Sequence, residues 1–266
     1  MGIDYVIDYE CVPKYHLTTM GILAKLKARQ RAAAVIKLYR DGDDQRPPSE
    51  MGFEMVRRTA DGDEEVQVII VQDMLDEAAT LDTYKSFCAN CPANFLRRPY
   101  GCFHTINYPI SQQAELWLLK QLPTPDEPLV FLLAQNAVMD VAQNADIATQ
   151  IADMRARQGV YFQSADSFGR RYDELTITTN HLFQMLFLPE SIHPAYGVLL
   201  LLLFHAIPRD MDAEALMQLT STRPEQPLPL RIEPAADDDE STASIKDFLR
   251  AVHRAHSLGV TLSLDA

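Results

Sequence analysis

Glycine is scarce in this chain: ten residues in 266, about half the ~7% share of an ordinary protein. Neither G-x-G-x-x-G nor G-x-x-x-x-G-K-[ST] occurs, so nucleotide binding through the two common phosphate-cradling loops is not expected. A G-x-S-x-G elbow and an H-E-x-x-H helix are missing as well, which leaves serine-hydrolase and zinc-protease chemistry without a motif. No apolar run approaches the roughly 20 residues that span a bilayer. The longest, Ala195 to Ile207, is broken by Gly197 and His205 and bounded by Pro194 and Pro208; it reads as a buried core helix. Met1-Gly2-Ile3-Asp4 has neither a basic n-region nor an apolar h-region, so no secretory signal is expected. Val6 stands where a myristoylation motif needs Ser or Thr. The expected location is cytoplasmic, where thiols stay reduced.

Positive charge is also in short supply. Lys and Arg total 24 against 37 Asp and Glu, a net charge of −13. Residues 1–110 hold 13 basic and 16 acidic side chains and residues 111–266 hold 11 and 21, so the second part repels nucleic acid and anionic membranes. The exception is residues 11–40, with Lys14, Lys25, Lys27, Arg29, Arg31, Lys37 and Arg40 and no acidic residue. On a helix over 18–40, Lys25, Arg29 and Arg40 gather on one side while Lys27 and Arg31 lie nearly opposite. That is a solvated helix rather than a single basic stripe, and it is the one route by which nucleic acid could be a partner. No membrane contact is expected.

The hydrophobic and charged fractions, 47% and 23%, are those of a folded protein with material for a substantial core. Ile3, Tyr5, Ile7 and Tyr9 alternate with Asp4, Val6, Asp8 and Glu10, as in a strand with one apolar face. Thr18 or Thr19 caps a helix running to about Arg40, closed by Asp41-Gly42. Phe53-Met55 and Val66-Val68-Ile70 flank Ala60-Asp61-Gly62-Asp63, a hairpin signal. Gln72 to Tyr84 has helical spacing, and Phe103 to Ile110 is extended. Beyond Ser111 helices dominate: one from Ser111 or Gln112 containing Leu116, Trp117 and Leu119, one long or two broken over Leu129–Arg157, then Thr179–Leu188, Ala195–Ala206, Ala213–Leu219 and Thr242–Leu258. The expected class is α+β, with an α+β cysteine-bearing unit over 1–110 and a mainly helical part over 111–266 that shares its core or stands apart.

Cysteine is the chemically pointed residue. All four lie in the first 102 positions: Cys11, Cys88, Cys91 and Cys102. Two residues between Cys88 and Cys91 put both sulfurs on one turn, the spacing with which thiolates grip zinc or an iron–sulfur cluster. Cys11 and Cys102, at predicted strand ends, would complete a set of four. Structural zinc sites made of four cysteines tend to use two close pairs, and this chain has one, so a [4Fe–4S] cluster ranks ahead of zinc. Pro92 after Cys91 resembles the Cys-Pro of bacterial ferredoxin runs, without their full spacing. His104 is a substitute ligand in the zinc reading, and Arg97 and Arg98 could screen a cluster's charge. Without a metal, the same residues are buried small hydrophobes or a redox-active dithiol.

The sequence therefore points to a metal-binding protein with a four-cysteine centre that staples the 88–102 loop to the first strand, in a structural or redox-sensing role. The alternatives are a zinc-stapled module that docks a protein partner through its helical part, and a metal-dependent enzyme of unknown reaction. Three further groupings rank lower. Glu190 and His193 have E-x-x-H spacing but no second copy, and His253 and His256 share a helical face without a carboxylate. The Ser164–Arg171 loop either holds a ligand or pairs Asp166 with Arg170 in a turn.

Overall fold

The computed structural model describes residues 2–58, 64–143, 145–157, 159–173, 175–221 and 228–265. Along the chain run β1 (Gly2–Ile7), α1 (Val12–Leu17), α2 (Thr19–Asp41), β2 (Gly52–Arg58), β3 (Glu64–Ile70), α3 (Val71–Tyr84), β4 (Phe103–Asn107) and α4 (Gln112–Gln121). They are followed by α5 (Pro128–Gln143), α6 (Ala145–Ala156), β5 (Gly169–Tyr172), β6 (Leu175–Thr178), α7 (Thr179–Phe187), β7 (Ser191–Ile192), α8 (Pro194–Leu203), α9 (Ala213–Ser221), α10 (Glu240–Leu258) and β8 (Leu262–Asp265). The class is α+β. The turn expected at Ala60–Asp63 lies outside the described residues; the strands on either side of it pair antiparallel, with Val56 opposite Val66.

Two compact units result: residues 10–100 form one, and residues 1–9 together with 101–266 form the other. The division differs from the 1–110 and 111–266 partition read from the sequence. The first strand leaves the cysteine-bearing segment because its neighbours come from later in the chain. β1 lies between β4 and β8 in an antiparallel sheet of order β4-β1-β8-β7, with Ile3 opposite Ile106 and Tyr5 opposite Leu264.

In this sheet unit β1 is buried from Ile3 through Ile7, as a central strand should be. Helix α10 packs on the sheet. Its start is fixed by Asp239, whose side chain accepts the Thr242 N–H at 2.8 Å, and its end by Gly259 in the left-handed region at φ 66°. Between those caps, Ile245, Phe248, Leu249 and Val252 are buried, and Phe248 meets Tyr5 edge-on at 5.1 Å and Phe187 at 5.3 Å. Helix α8 is apolar all round and buried, as its leucine run predicts. Gly197 lets it approach α10, since a Cβ there would stand 3.1 Å from Val252 Cγ1.

In the cysteine unit, α2 and α3 pack on the β2–β3 hairpin around Ala28, Ala32, Met51, Val71 and Met74. The Tyr39 hydroxyl donates to the Gly52 carbonyl at 2.9 Å, tying α2 to the hairpin. Much of the positive charge of α2 is spent on local partners. Lys25 donates to the Glu77 carbonyl, Arg29 to the Ala78 carbonyl and Asp82, Lys37 to Asp41, and Arg40 to the Asp44 and Arg46 carbonyls. Among the described residues no helix is long and apolar enough to cross a membrane.

Candidate metal centre

Cys11 occupies the N-cap position of α1 in an extended conformation, and its carbonyl accepts the Tyr15 N–H at 3.0 Å. Pro13 fixes the first turn. The chain then passes through Thr18, at φ 60° and ψ 159°, directly into α2. Cys88 closes the 3-10 turn Lys85–Cys88 that prolongs α3. The Cys91 N–H donates to the Cys88 carbonyl at 3.3 Å, and Asn94 clamps the turn twice: its N–H donates to the Cys91 carbonyl at 3.0 Å and its amide to the Cys88 carbonyl at 2.7 Å. Arg97 and Tyr100 hold left-handed backbone at φ 54° and 58°, strain that a non-glycine residue adopts only where its surroundings impose it. Tyr100 is itself buried, and its hydroxyl donates to the Leu81 carbonyl at 2.7 Å.

This loop delivers N–H groups to sulfur. The Cys91 thiol is held down to about 6, first by its hydrogen bond with Cys11, then against burial by the backbone N–H groups of Ala93 and Asn94, with a contribution from the charge of Lys14. Burial pushes the Cys88 thiol up; the Tyr100 N–H works against that shift and the neighbouring Cys91 adds to it. Tyr100 is raised to about 12, by burial first and then by the proximity of Cys88. One sulfur is thus prepared for negative charge at neutral pH, and a second lies beside it.

The four sequence candidates are divided between the two units. Cys11, Cys88 and Cys91 belong to the cysteine unit, where Cys11 and Cys91 are in side-chain contact and Cys88 is on the same turn as Cys91. Cys102 belongs to the sheet unit; it is buried and its carbonyl accepts the Ile7 N–H at 3.1 Å. His104, in β4, points to Asp247 at 3.7 Å and meets Tyr5 edge-on. Arg97 and Arg98 are exposed. Among the described residues, no group of three or more His, Cys, Asp or Glu side chains takes up an arrangement that would hold a metal ion. The cysteines of the unit are free thiols, with backbone N–H groups aimed at the sulfurs of Cys88 and Cys91. Within the unit the set is one sulfur short of four.

No protein-family model, curated protein or solved structure matches this chain.

The lower-ranked groupings also find their places. His193 precedes α8, with its Nδ1 3.3 Å from the Thr261 hydroxyl, and the Glu190 carbonyl accepts the Leu264 N–H. His253 and His256 turn their Nε2 atoms to separate carbonyls, of Leu228 and Leu219. Arg170 donates to the Leu122 carbonyl at 3.2 Å and lies over the Tyr172 ring, while Ser164, not Arg170, holds the backbone of Asp166.

Sequence reading misses Asn94 and Tyr100, which shape the loop, and Lys14 as the residue that lends its charge to sulfur. Asn94 and Tyr100 carry no spacing signal; only their positions between cysteines single them out. Equally silent in the sequence is a cavity of about 700 Å³ in the sheet unit, lined by residues including Glu127, His205, Arg209 and Arg231. There Arg231 Nη1 lies 2.9 Å from His205 Nε2, and Arg209 is engaged by Glu127 at 2.9 Å and by the Leu202 and Leu203 carbonyls.

Proposed function

We propose that this chain is a metal-binding protein whose centre is held by the thiolates of Cys11, Cys88 and Cys91. Cys102, the fourth ligand expected from the sequence, stands in the sheet unit. The observation that carries the reading is the set of backbone N–H groups given to sulfur: Ala93 and Asn94 to Cys91, and Tyr100 to Cys88. N–H groups of a strained loop stabilise sulfur that bears negative charge, and concave N–H arrays of this kind recur at iron–sulfur sites. A [4Fe–4S] cluster is therefore placed ahead of zinc. When bound, the cluster supplies a one-electron couple, whereas zinc supplies a redox-silent staple. The protein's own part is to hold thiolates, orient them through Asn94 and Tyr100, and shield the buried Cys88 side from water. The role is structural or redox-sensing, and a reducing compartment such as the cytoplasm is where reduced thiols of this kind persist.

Metal and sulfide analysis of anaerobically purified full-length protein tests the proposal. The expected result is iron and sulfide in stoichiometric amount, with visible absorption that bleaches on reduction. Stoichiometric zinc in a colourless protein would move the centre to the zinc reading. Protein that contains neither, and takes up neither on reconstitution, would overturn metal binding. Asn94→Asp, which places a carboxylate beside the Cys88 carbonyl, is expected to lower metal occupancy several-fold without unfolding the sheet unit.

A further inference from the structure

We infer that, in the metal-free protein, Cys11 and Cys91 form a thiol–disulfide exchange site, and that the pair close in sequence, Cys88 and Cys91, does not. As a regulatory device this rests on the metal-binding reading, since it describes what the ligand thiols do without their metal; the exchange chemistry stands without it. The co-reactant is a low-molecular-weight disulfide of the glutathione type.

Spacing alone would select the Cys-x-x-Cys pair. Packing selects differently. Cys88 is buried at 6% exposure while Cys11 and Cys91 are both half-exposed, and exchange requires that an incoming disulfide reach the attacking sulfur. The Cys88 sulfur accepts the Tyr100 N–H and the Cys91 sulfur those of Ala93 and Asn94, but only Cys91 has a thiol partner, since the Cys11 and Cys91 side chains are hydrogen-bonded to each other. Tyr100 is anchored at both ends, its hydroxyl on the Leu81 carbonyl and its N–H on Cys88, so freeing the Cys88 sulfur means moving a buried aromatic residue. Cys11 comes from a separate element, the N-cap of α1, outside the 88–94 turn.

The chemistry balances in two exchanges. The Cys91 thiolate attacks one sulfur of the small disulfide, a mixed disulfide forms, and the first small thiolate departs. Cys11 then attacks the Cys91 sulfur, the protein disulfide forms, and the second small thiolate departs. Two electrons pass from the protein thiols to the small disulfide, and the two thiol protons end on the two small thiols. The product joins positions 11 and 91 of a unit that extends from residue 10 to residue 100. It closes almost the whole unit into a covalent ring, a second way of stapling the ends that the metal would staple. Because both need the same sulfurs, oxidation blocks metal uptake and bound metal blocks oxidation.

The test uses the full chain, stripped of metal by a chelator under reducing conditions, exposed to oxidised glutathione, alkylated and digested with trypsin. The expected product joins the peptide Met1–Lys14 to the peptide Ser86–Arg97, at least fivefold over the internally bridged Ser86–Arg97 peptide. In Cys88→Ser the same cross-link forms; in Cys11→Ser glutathionylated Cys91 accumulates. Predominance of the internal Cys88–Cys91 bridge, or glutathionylation of Cys91 with no cross-link in the unsubstituted protein, would overturn the inference. Peptide mapping of the unsubstituted protein decides even where a variant does not fold. Cross-linking in a protein that never takes up metal would sink the metal reading alone; metal uptake without cross-linking would sink the exchange site alone. The cross-linked form is expected to lose at least tenfold in metal uptake and to regain it with dithiothreitol.

Discussion

Glu115 has no exposed surface, and Arg155 has almost none. The two form a bidentate pair, and the remaining guanidinium contacts are satisfied: Asn180 at 2.8 Å, Thr179 at 3.1 Å, the Ser164 carbonyl at 3.2 Å, with Phe162 stacked 3.7 Å from the guanidinium carbon. Such a pair contributes little relative to an apolar replacement, but removing one partner strands a buried charge. Arg155→Met is therefore expected to cost about 3–5 kcal/mol in urea unfolding. The double variant Arg155→Met, Glu115→Leu should recover most of that loss. Equal losses in the single and double variants would mean that the pair acts only by packing. None of this is legible in the sequence. Leu116, Trp117 and Leu119 stand out there as the apolar residues of α4, yet Leu116 is exposed and Glu115 is buried. A carboxylate faces the core because an arginine forty residues later comes to meet it, and no local periodicity encodes that partner.

His205 is a second residue at which local rules are broken. Helix α8 ends with the Ala206 N–H on the Leu201 carbonyl and the His205 N–H on the Leu202 carbonyl, and His205 itself sits at φ 52°. Glycine is the usual occupant of that place. His205→Gly is expected to stabilise the protein by about 1 kcal/mol through relief of left-handed strain, read as a raised urea midpoint at unchanged slope. A fall in stability instead would mean that the contact with Arg231 outweighs the strain.

At the scale of elements, three imidazoles link helix packing to pH. His181 completes the capping box of α7, its Nδ1 accepting the Thr178 N–H at 3.2 Å. His253 and His256 on α10 give their Nε2 protons to the Leu228 and Leu219 carbonyls. The buried Nδ1 of His256 has no hydrogen-bond partner among the described residues. Burial lowers all three below the ordinary 6.5. The unfolded chain takes up protons as pH falls through about 6.5, and the folded chain resists, so stability is present above that pH and is lost below it. Asp238 and Asp239 are also lowered, from 3.8, and act only at still lower pH. The urea midpoint is expected to fall between about pH 6.5 and 5. His253→Gln with His256→Gln should flatten the slope. A wild-type midpoint that does not move between about pH 7 and 5 would rule out this account.

Helices are the legible elements, because their caps and ~3.6-residue periods are local. α2 ends at Asp41 with Thr18 accepting the Gly21 N–H, α4 follows Ser111, and α10 precedes Gly259, all near their expected limits. Strands β5 to β8 carry no such signal. They are two to four residues long, too short for alternation to register, and β7 and β8 exist only because β1 stands beside β8. The cysteine loop is legible as a set of closely spaced thiols but not as a selective one. Spacing identifies Cys88 and Cys91, while the burial that separates their chemistry comes from Tyr100 and α3.

For the whole molecule, the decisive fact is that β1 belongs with residues 101–266. The remaining segment, residues 10–100, carries 13 basic and 14 acidic side chains, whereas the rest carries 11 and 23. The acidic excess seen in the sequence therefore belongs almost wholly to the sheet unit, at 11 − 23 = −12, and the cysteine unit is nearly neutral, at 13 − 14 = −1. The cores differ as well. The sheet unit buries Tyr5, Phe162, Phe183, Phe204 and Phe248 almost completely, while the main cluster of the cysteine unit is built from alanine, methionine and valine. A unit of about 90 residues with so small a core gains more from a staple than a larger one would. Closing a loop between Cys11 and the Cys88–Cys91 turn removes unfolded-state entropy worth up to about 4–5 kcal/mol, all of it to the benefit of the cysteine unit. Removal of the proposed metal under reducing conditions should thus raise amide hydrogen exchange across α1, α2 and the 88–100 loop. Exchange in α8, α10 and β1 should stay as it was. Calorimetry should show the same asymmetry, with a low-temperature transition moving down on chelation and returning on metal reconstitution or on formation of the Cys11–Cys91 disulfide. Uniform acceleration across both units would mean that the staple belongs to the whole molecule rather than to residues 10–100.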